Sequence, residues 1–278
     1  KIQQFGFHGR QGGGVCGVET ALMDLAGKAY GVPSYMLAGG KYRDRIKVYA
    51  DTPSEQEPKK MAARMQTRID KGYQFLKMDV GINLLRGIGG TLIQDPTVAA
   101  NPNLMHPFTA TQITQKGIEH LTEYARVIRE QLGSTIPIAI DHFGHIGLDS
   151  CIRLGRALDR FTFAWYEDML PWQFPKQMKA IKDAVETPVC TGEDIYLRQE
   201  FKTLLDEDCV SYVHPDLATS GGILETKRIG DLAQEYGVPM VLHQAGSPIV
   251  AMANVHCAAA TENFVALEMH SVDLPWWE

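Results

Sequence analysis

The stretch IPIAIDHFGH (136–145) is a short apolar run that ends in a carboxylate, Asp141, and this arrangement recurs through the second half of the chain. A polar residue follows each run at intervals of 23 to 27 residues: Asp141, Glu167, Glu193, Asp216, His243 and Glu268. Such an interval is about the length of one strand, one helix and two loops. Polar side chains at the C-terminal ends of successive parallel strands are how a βα barrel builds an active site.

Eight apolar, β-branched and aromatic segments are separated by helical patterns, which favours a closed α/β barrel. An open doubly wound sheet is the alternative, but polar tips on so many successive strands would not converge there. The predicted strands are IKVYAD (46–51), YQFLKMDVG (73–81), IPIAID (136–141), FAWYE (163–167), PVCTGE (188–193), CVSYVHPD (209–216), VPMVLH (238–243) and NFVALE (263–268).

The remaining segments supply helices and one irregular insertion. VETALMDLAGKAY (18–30) has helical periodicity, with Val18, Leu22 and Leu25 on one face. The segment from residue 111 to 132 predicts a long amphipathic helix. Residues 82–110 are rich in Gly, Pro and Asn and carry no clear period, which indicates a functional loop or excursion.

Composition limits the possible partners and compartments. The chain has 278 residues, 45% of them apolar, and a net charge of −6, which argues against nucleic-acid or membrane-surface partners. No apolar run approaches the ~20 residues of a membrane span. Five scattered cysteines without a CxxC pair indicate reduced thiols in a cytoplasm. The chain begins with Lys1 and stops abruptly after WWE, so we expect that sequence is missing at both ends.

Asp141, Glu167 and Glu193 end three neighbouring predicted strands. Adjacent strands lie ~4.8 Å apart, so these carboxylates can meet on one cation, and an all-carboxylate set suits Mg²⁺. A single carboxylate at a strand end is more often a helix cap or an ion-pair partner. Three in register favour a metal site, because crowded like charges need a cation to offset their repulsion.

Asp216 and His243 end the next two strands and suggest an acid/base pair. A carboxylate that accepts from one imidazole nitrogen leaves the other nitrogen to take a proton. Lys77 ends the second strand and is a candidate second base or a charged ligand for a carboxylate; a solvated surface lysine is the alternative.

Three further residues are candidates for the site: Glu268, His142 and His145. Glu268, if protonated, would hydrogen-bond a developing enolate oxygen, and a structural role is equally compatible with its position. His142 and His145 follow Asp141 and either donates a proton to a leaving hydroxyl or simply bonds the backbone of its loop. His214 is interpreted as a packing or rim residue.

Taken in order, these residues resemble the mandelate racemase/muconate-lactonising branch of the enolase superfamily from about residue 17 to the end of the chain. The resemblance rests on VETALMDLAGKAYGVPSYMLAGGKYRDRIKVYA (18–50), KMD (77–79), the three carboxylates, PDLATSGGI (215–223) with LHQAG (242–246), and LEMHS (267–271). It implies a TIM-like (β/α)₇β barrel over residues 46–278, with residues 1–45 as a remnant of an N-terminal α+β capping domain and its lead-in helix. It also implies Mg²⁺-dependent abstraction of the proton α to a carboxylate, an enediolate intermediate and a symmetric homo-oligomer.

Two residues depart from the family pattern. Asp79 stands where the family has a second lysine, which leaves open whether Lys77 is a base. Phe143 stands where many members carry Asn or His, and histidines fall at His142 and His145 instead.

The segments GEDIYLRQEFK (192–202), HPDLATSGGILETKRI (214–229) and LHQAGSPI (242–249) look closest to the gluconate/galactonate dehydratase group. The resemblance therefore implies a cytoplasmic hydro-lyase that converts a sugar acid to a 2-keto-3-deoxy acid. The alternative on this scaffold is a racemase or epimerase, with Lys77 and His243 as bases on opposite faces of the α-carbon. A non-enzymatic scaffold, a metal-binding remnant and a divalent-metal aldolase remain further alternatives.

Overall fold

The structure is a computed structural model that describes residues 13–100, 111–141, 143 and 146–275. The helices are α1 (Gly13–Tyr30), α2 (Ser34–Leu37), α3 (Pro58–Asp70), α4 (Pro96–Ala100), α5 (Gln115–Leu132), α6 (Leu148–Leu158), α7 (Pro175–Lys182), α8 (Arg198–Asp206), α9 (Leu217–Ser220), α10 (Ile223–Glu235) and α11 (Pro248–Ala260). The strands are β1 (Val48–Thr52), β2 (Leu76–Asp79), β3 (Leu92–Gln94), β4 (Thr111–Ile113), β5 (Ile138–Asp141), β6 (Tyr166–Glu167), β7 (Val189–Thr191), β8 (Tyr212–Val213), β9 (Met240–Leu242) and β10 (Phe264–Met269).

Eight of these strands form a closed parallel barrel in the order β1-β10-β9-β8-β7-β6-β5-β2. Each overlaps one of the eight strands predicted from the sequence, so the predicted barrel is confirmed. One longer helix follows each of the first seven barrel strands: α3, α5, α6, α7, α8, α10 and α11. This alternation is the (β/α)₇β pattern that the resemblance implied. The chain forms two compact units, Lys1–Tyr49 with Cys190–Glu278, and Ala50–Val189, which are described in turn.

In the unit Ala50–Val189, β2 pairs in parallel with β1 and with β5. The register with β5 sets Lys77 opposite Ala139 and Asp79 opposite Asp141. Leu76, Lys77 and Met78 are all buried, as expected of a barrel strand with both faces covered. The strand register therefore brings a buried lysine and two carboxylates to neighbouring positions near the C-terminal ends of two strands.

The predicted helix from residue 111 begins later than expected. Thr111–Ile113 is strand β4, which pairs antiparallel with β3, and α5 begins at Gln115. The helix starts there because the Thr114 side chain accepts from the backbone N–H of Gly117 and caps it. Of the predicted irregular segment 82–110, the described residues form a 3₁₀ turn (Ile82–Leu85), β3 and α4, and residues 101–110 lie outside the described chain.

In the unit Lys1–Tyr49 with Cys190–Glu278, α1 confirms the predicted helix. Its predicted apolar face is exposed, however: Val18, Leu22 and Leu25 are 58–63% accessible, whereas Cys16 and Met23 are buried. Glu19 accounts for this orientation, because its carboxylate accepts backbone N–H groups at the start of α10 and turns that side of α1 inward. Helical periodicity identified the helix but not the side that packs.

The five cysteines are free thiols, and all of them are buried. Among the described residues, no helix is long and apolar enough to cross a membrane.

Candidate active site

Lys77 lies between two of the predicted metal ligands. Its Nζ is 3.0 Å from Asp141 Oδ2 and 3.0 Å from Glu167 Oε1. Lys77 and Glu167 are almost fully buried, and the Asp141 side chain is 16% exposed. Burying charges is favourable only when they are paired and hydrogen-bonded, and here one ammonium offsets two carboxylates. These two carboxylates are therefore already arranged around a single positive charge.

Trp165 holds the second oxygen of Glu167. Its indole Nε1–H donates to Glu167 Oε2 over 2.8 Å, and the indole ring packs edge-on against Phe75 with centroids 5.0 Å apart. Both oxygens of a fully buried carboxylate are thus engaged, which fixes the rotation of the group. At the end of β2, Asp79 Oδ2 accepts a hydrogen bond from Ser54 Oγ over 2.7 Å.

The structure brings together Asp216 and His243, the two residues that the sequence suggested as an acid/base pair. His243 Nδ1 is 2.7 Å from Asp216 Oδ2, and the backbones of the two residues form a parallel bridge. Asp216 Oδ1 accepts from the backbone N–H of Ala218, so Asp216 also caps α9. Because an ionised carboxylate only accepts, it selects the Nδ1–H form of His243 and leaves Nε2 as the nitrogen that exchanges a proton.

The Nε2 atom of His243 faces two more carboxylates. It lies 3.0 Å from Glu193 Oε2 and 3.8 Å from Glu268 Oε2. Burial lowers the pKa of His243. The negative charges of Glu193 and Glu268 and the hydrogen bonds to Asp216 and Glu193 raise it by more, so the pKa lies well above its usual value. These contacts therefore favour a proton on His243 Nε2.

Glu268 belongs to a buried group that sequence reasoning missed in part. Tyr49 Oη lies 3.0 Å from His214 Nε2 and donates to Glu268 Oε2 over 3.2 Å, and the backbone N–H of Gln244 donates to the same oxygen. His214 is fully buried, which agrees with the packing alternative of its interpretation and not with the rim alternative. Tyr49 lies in β1, and His214 directly follows β8. These positions, in or next to a barrel strand, were the signal by which the sequence could have identified the two residues.

The two loop histidines, His142 and His145, lie outside the described residues. Phe143, between them, is fully buried, and its ring lies 5.3 Å from that of Tyr166. A phenylalanine at this position thus contributes packing and no proton chemistry.

Each of the six recurring polar residues lies at or near the C-terminal end of its own strand. Asp141 and Glu167 end β5 and β6, and Glu268 lies one residue before the end of β10. The others follow their strands within three residues: Glu193 after β7, Asp216 after β8 and His243 after β9. Active sites of such barrels lie at the C-terminal ends of the strands.

Residues 60–278 match the family described as enolase C-terminal domain-like. The chain belongs to this family. Within the enolase superfamily it is 35% identical over 268 residues to the D-xylonate dehydratase of Haloferax volcanii, covering 95% of this chain and 60% of the relative. It is 28% identical to the D-gluconate/D-galactonate dehydratase of Picrophilus torridus, covering 94% of this chain and 61% of the relative. The chain thus spans about three fifths of the length of these two relatives.

A solved structure of the same superfamily is also similar. It is the mandelate racemase/muconate lactonizing enzyme-like protein from Rubrobacter xylanophilus, with a TM-score of 0.84 and 32% sequence identity. The similarity covers 95% of this chain and 67% of that one. Membership of the mandelate racemase/muconate-lactonising branch, which the motifs implied, is thereby confirmed.

Proposed function

We propose that this chain carries the catalytic barrel of a Mg²⁺-dependent hydro-lyase that dehydrates a sugar acid to a 2-keto-3-deoxy acid. The observation that carries the proposal is the Asp216–His243 pair. Asp216 contacts His243 Nδ1, and the second ring nitrogen, Nε2, lies 3.0 Å from Glu193. The dehydratase names of the similar proteins from Haloferax volcanii and Picrophilus torridus support the reaction class. Both names state that the relatives act on aldonic acids, which is the substrate class we infer here.

The proposed metal ligands are Asp141, Glu167 and Glu193. Three carboxylates are a hard oxygen donor set of the kind that Mg²⁺ prefers. The fit is supported by Asp141 and Glu167, which already share one cation, the Lys77 ammonium, at 3.0 Å each. A bound Mg²⁺ would supply positive charge against the negative charge that develops on the substrate carboxylate.

The proposed base is His243. Its Nε2 takes the proton from the α-carbon while Asp216, bonded to Nδ1–H, stabilises the imidazolium that forms. The electron pair of the broken C–H bond forms the new carbon–carbon double bond, and the β-hydroxyl leaves as water after gaining a proton. The resulting enol rearranges to the 2-keto acid. Glu193 now contacts His243 Nε2 at 3.0 Å. If Glu193 bound a cation, its carboxylate would have to release Nε2, which would then be available for the substrate proton.

The acid that protonates the leaving hydroxyl is assigned to the loop after β5. We propose His142 or His145, since each follows Asp141 closely in the sequence. Glu268 is the proposed hydrogen-bond donor to the enolic oxygen when it is protonated.

The second candidate is a racemase or epimerase of a 2-hydroxy or sugar acid. Lys77 favours it, because a buried lysine beside two proposed metal ligands is placed where a second base would act. Against it, two carboxylates at 3.0 Å stabilise the charged ammonium, which is the wrong form for a base. One base and one acid suffice for dehydration.

The test is turnover of a panel of aldonic and aldaric acids by the purified protein with Mg²⁺ in deuterated water. Dehydration yields a 2-keto product that semicarbazide detects. Deuterium at the α-carbon without a keto product would indicate racemisation instead, and retro-aldol fragments would indicate an aldolase. His243→Gln is the matched inactive control, and no reaction with any acid would overturn the proposal.

We further propose a cytoplasmic location and a homo-oligomer. Five buried free thiols support a reducing compartment. The oligomer rests on the superfamily resemblance, and sedimentation velocity measures it directly.

A further inference from the structure

One carboxylate beside the proposed metal ligands, that of Asp79, has no role in the proposed function. Asp79 ends β2 and points to the same side of that strand as Lys77, because side chains alternate along a strand. Its partner across the ladder is Asp141, so the two Cα atoms lie ~4.8 Å apart. From that side Lys77 contacts Asp141 and Glu167 at 3.0 Å each. Asp79 therefore borders the group of proposed ligands.

The Asp79 carboxylate is arranged as a hydrogen-bond acceptor. Its Oδ2 accepts from Ser54 Oγ over 2.7 Å. Asp79 is only partly buried, so it is accessible to a ligand. An ionised carboxylate accepts about four hydrogen bonds on its two oxygens and donates none. The donor that Asp79 already binds is a hydroxyl, which is also the group that a sugar acid carries on the carbons beyond its carboxylate.

The loop that contains Ser54 is held by two helices. From α5, Tyr124 Oη donates to the Glu55 carbonyl over 2.6 Å. From α3, Arg64 Nη1 donates to Glu55 Oε1 over 2.8 Å and to the Pro53 carbonyl over 3.3 Å. Both residues that flank Ser54 are thereby fixed. A fixed partner of this kind orients a binding group before a ligand arrives.

We propose that Asp79 is a specificity-determining residue that accepts a hydrogen bond from a substrate hydroxyl, an inference that rests on the proposed function. In that function the substrate carboxylate is bound through the cation that Asp141 helps to hold, and the hydroxyl-bearing carbons extend from there. Asp79 is one strand away from Asp141, which places it beside those carbons. Ser54 is the positioning residue that orients the Asp79 carboxylate.

Hydrogen bonds to charged groups discriminate more strongly than bonds between neutral groups. A substrate that lacks the hydroxyl would leave the Asp79 carboxylate without this bond and with part of its water displaced. A site built to bind a hydroxyl therefore rejects the analogue that lacks it. This reasoning gives Asp79 a role in the choice between sugar acids and none in proton transfer.

The test is calorimetric binding of an aldonic acid and of analogues that each lack one hydroxyl beyond the β-carbon. Mg²⁺ is present, and the His243→Gln background prevents turnover. We expect one analogue to bind about tenfold to hundredfold more weakly than the parent acid, as for the loss of a bond to a charged group. Adding Asp79→Ala should make the protein bind that analogue and the parent acid equally well, because the acceptor is absent for both.

Further variants separate the acceptor from its surroundings. Asp79→Asn keeps the shape and one acceptor oxygen, so it should retain part of the discrimination. Ser54→Ala should weaken the discrimination without abolishing it. Asp70→Ala is the matched control, since this exposed carboxylate on α3 accepts from Gln66, and it should discriminate as the unaltered protein does. A complete loss of Mg²⁺ binding in Asp79→Ala would make Asp79 a metal ligand and overturn the proposal.

Two results would overturn the role of Asp79 even if the protein dehydrates a sugar acid. One is equal binding of the parent acid and all analogues, and the other is discrimination that persists in Asp79→Ala. Conversely, discrimination that depends on Asp79 in a protein that turns over no acid would support this role and overturn the proposed dehydration. If no aldonic acid binds at all, both proposals are overturned.

Discussion

Asp216 and His243 are joined both through their backbones, in a parallel bridge, and through their side chains, with Oδ2 2.7 Å from Nδ1. The backbone bridge sets the separation of the two residues, so the side-chain bond needs little further ordering. The second oxygen of Asp216 is occupied by the Ala218 N–H, which prevents the carboxylate from turning away from the imidazole. The orientation of His243 is therefore determined by contacts that do not involve a substrate.

Replacing Asp216 by Asn should lower kcat about a hundredfold to ten-thousandfold with little loss of Mg²⁺ binding. An amide keeps the shape but gives up the charge that stabilises the imidazolium and selects its tautomer. Keto-acid production measures kcat, and calorimetry measures Mg²⁺ affinity. Asp206→Asn is the control, since Asp206 pairs with Lys202 on the solvent-exposed side of α8. A variant that retained wild-type kcat would remove the dyad from the mechanism.

Replacing Lys77 by Met should destabilise the metal-free protein by about 3–5 kcal/mol, because two buried carboxylates then lose the cation between them. Mg²⁺ should restore most of this loss, and the variant should bind Mg²⁺ more tightly than the wild type. Urea unfolding with and without Mg²⁺ measures both effects.

The control for Lys77 is Lys28→Met, which breaks an exposed pair with Asp24 and should cost less than about 1 kcal/mol with or without Mg²⁺. Equal stability of Lys77→Met and wild type in the absence of Mg²⁺ would contradict the pairing.

Replacing Glu19 by Ala should cost about 1–3 kcal/mol of stability. Its two oxygens accept from Ile223 N–H at 2.7 Å and Leu224 N–H at 3.0 Å, and its charge lies at the positive end of α10. Glu57→Ala is the comparison, since Glu57 precedes α3 without a side-chain capping bond. Chemical denaturation followed by circular dichroism measures both, and a cost for Glu19→Ala no larger than for Glu57→Ala would refute the cap.

His256 should make stability fall in mild acid. Burial lowers its pKa, against a smaller opposing effect of Asp24, and its Nδ1 accepts from the Tyr35 N–H. The folded state therefore binds this proton more weakly than the unfolded state, whose histidine titrates near ~6.5. Its contribution to stability is complete above that pH and is lost as the pH falls from there through the lowered folded pKa.

The non-titrating variant His256→Asn should show a flatter dependence of unfolding free energy on pH between about pH 5 and 7. Urea titrations at several pH values measure the difference from wild type. His120→Asn, at an exposed helical position, is the control. Identical pH profiles for wild type and His256→Asn would exclude His256 as the cause.

The sequence predicted the barrel well because its signals are local. A barrel strand is a short apolar run, and its length and spacing can be read without knowing its neighbours. Asp216 and His243 could be paired in advance because adjacent strands of a barrel are usually consecutive in the chain. The start of α5 was misplaced because β4 depends on pairing with β3, which is separated from it by residues without a clear period.

The chain by itself determined eight strands, the order of polar residues at their ends and the helices between them, because these follow from periodicity and composition over short windows. Only the tertiary structure decided that Lys77 lies between Asp141 and Glu167, that Tyr49 lies between His214 and Glu268, and that the apolar face of α1 is exposed. Those contacts join residues 64 or more positions apart or depend on which side of an element packs. Strand register and burial set them collectively, and no single segment encodes them.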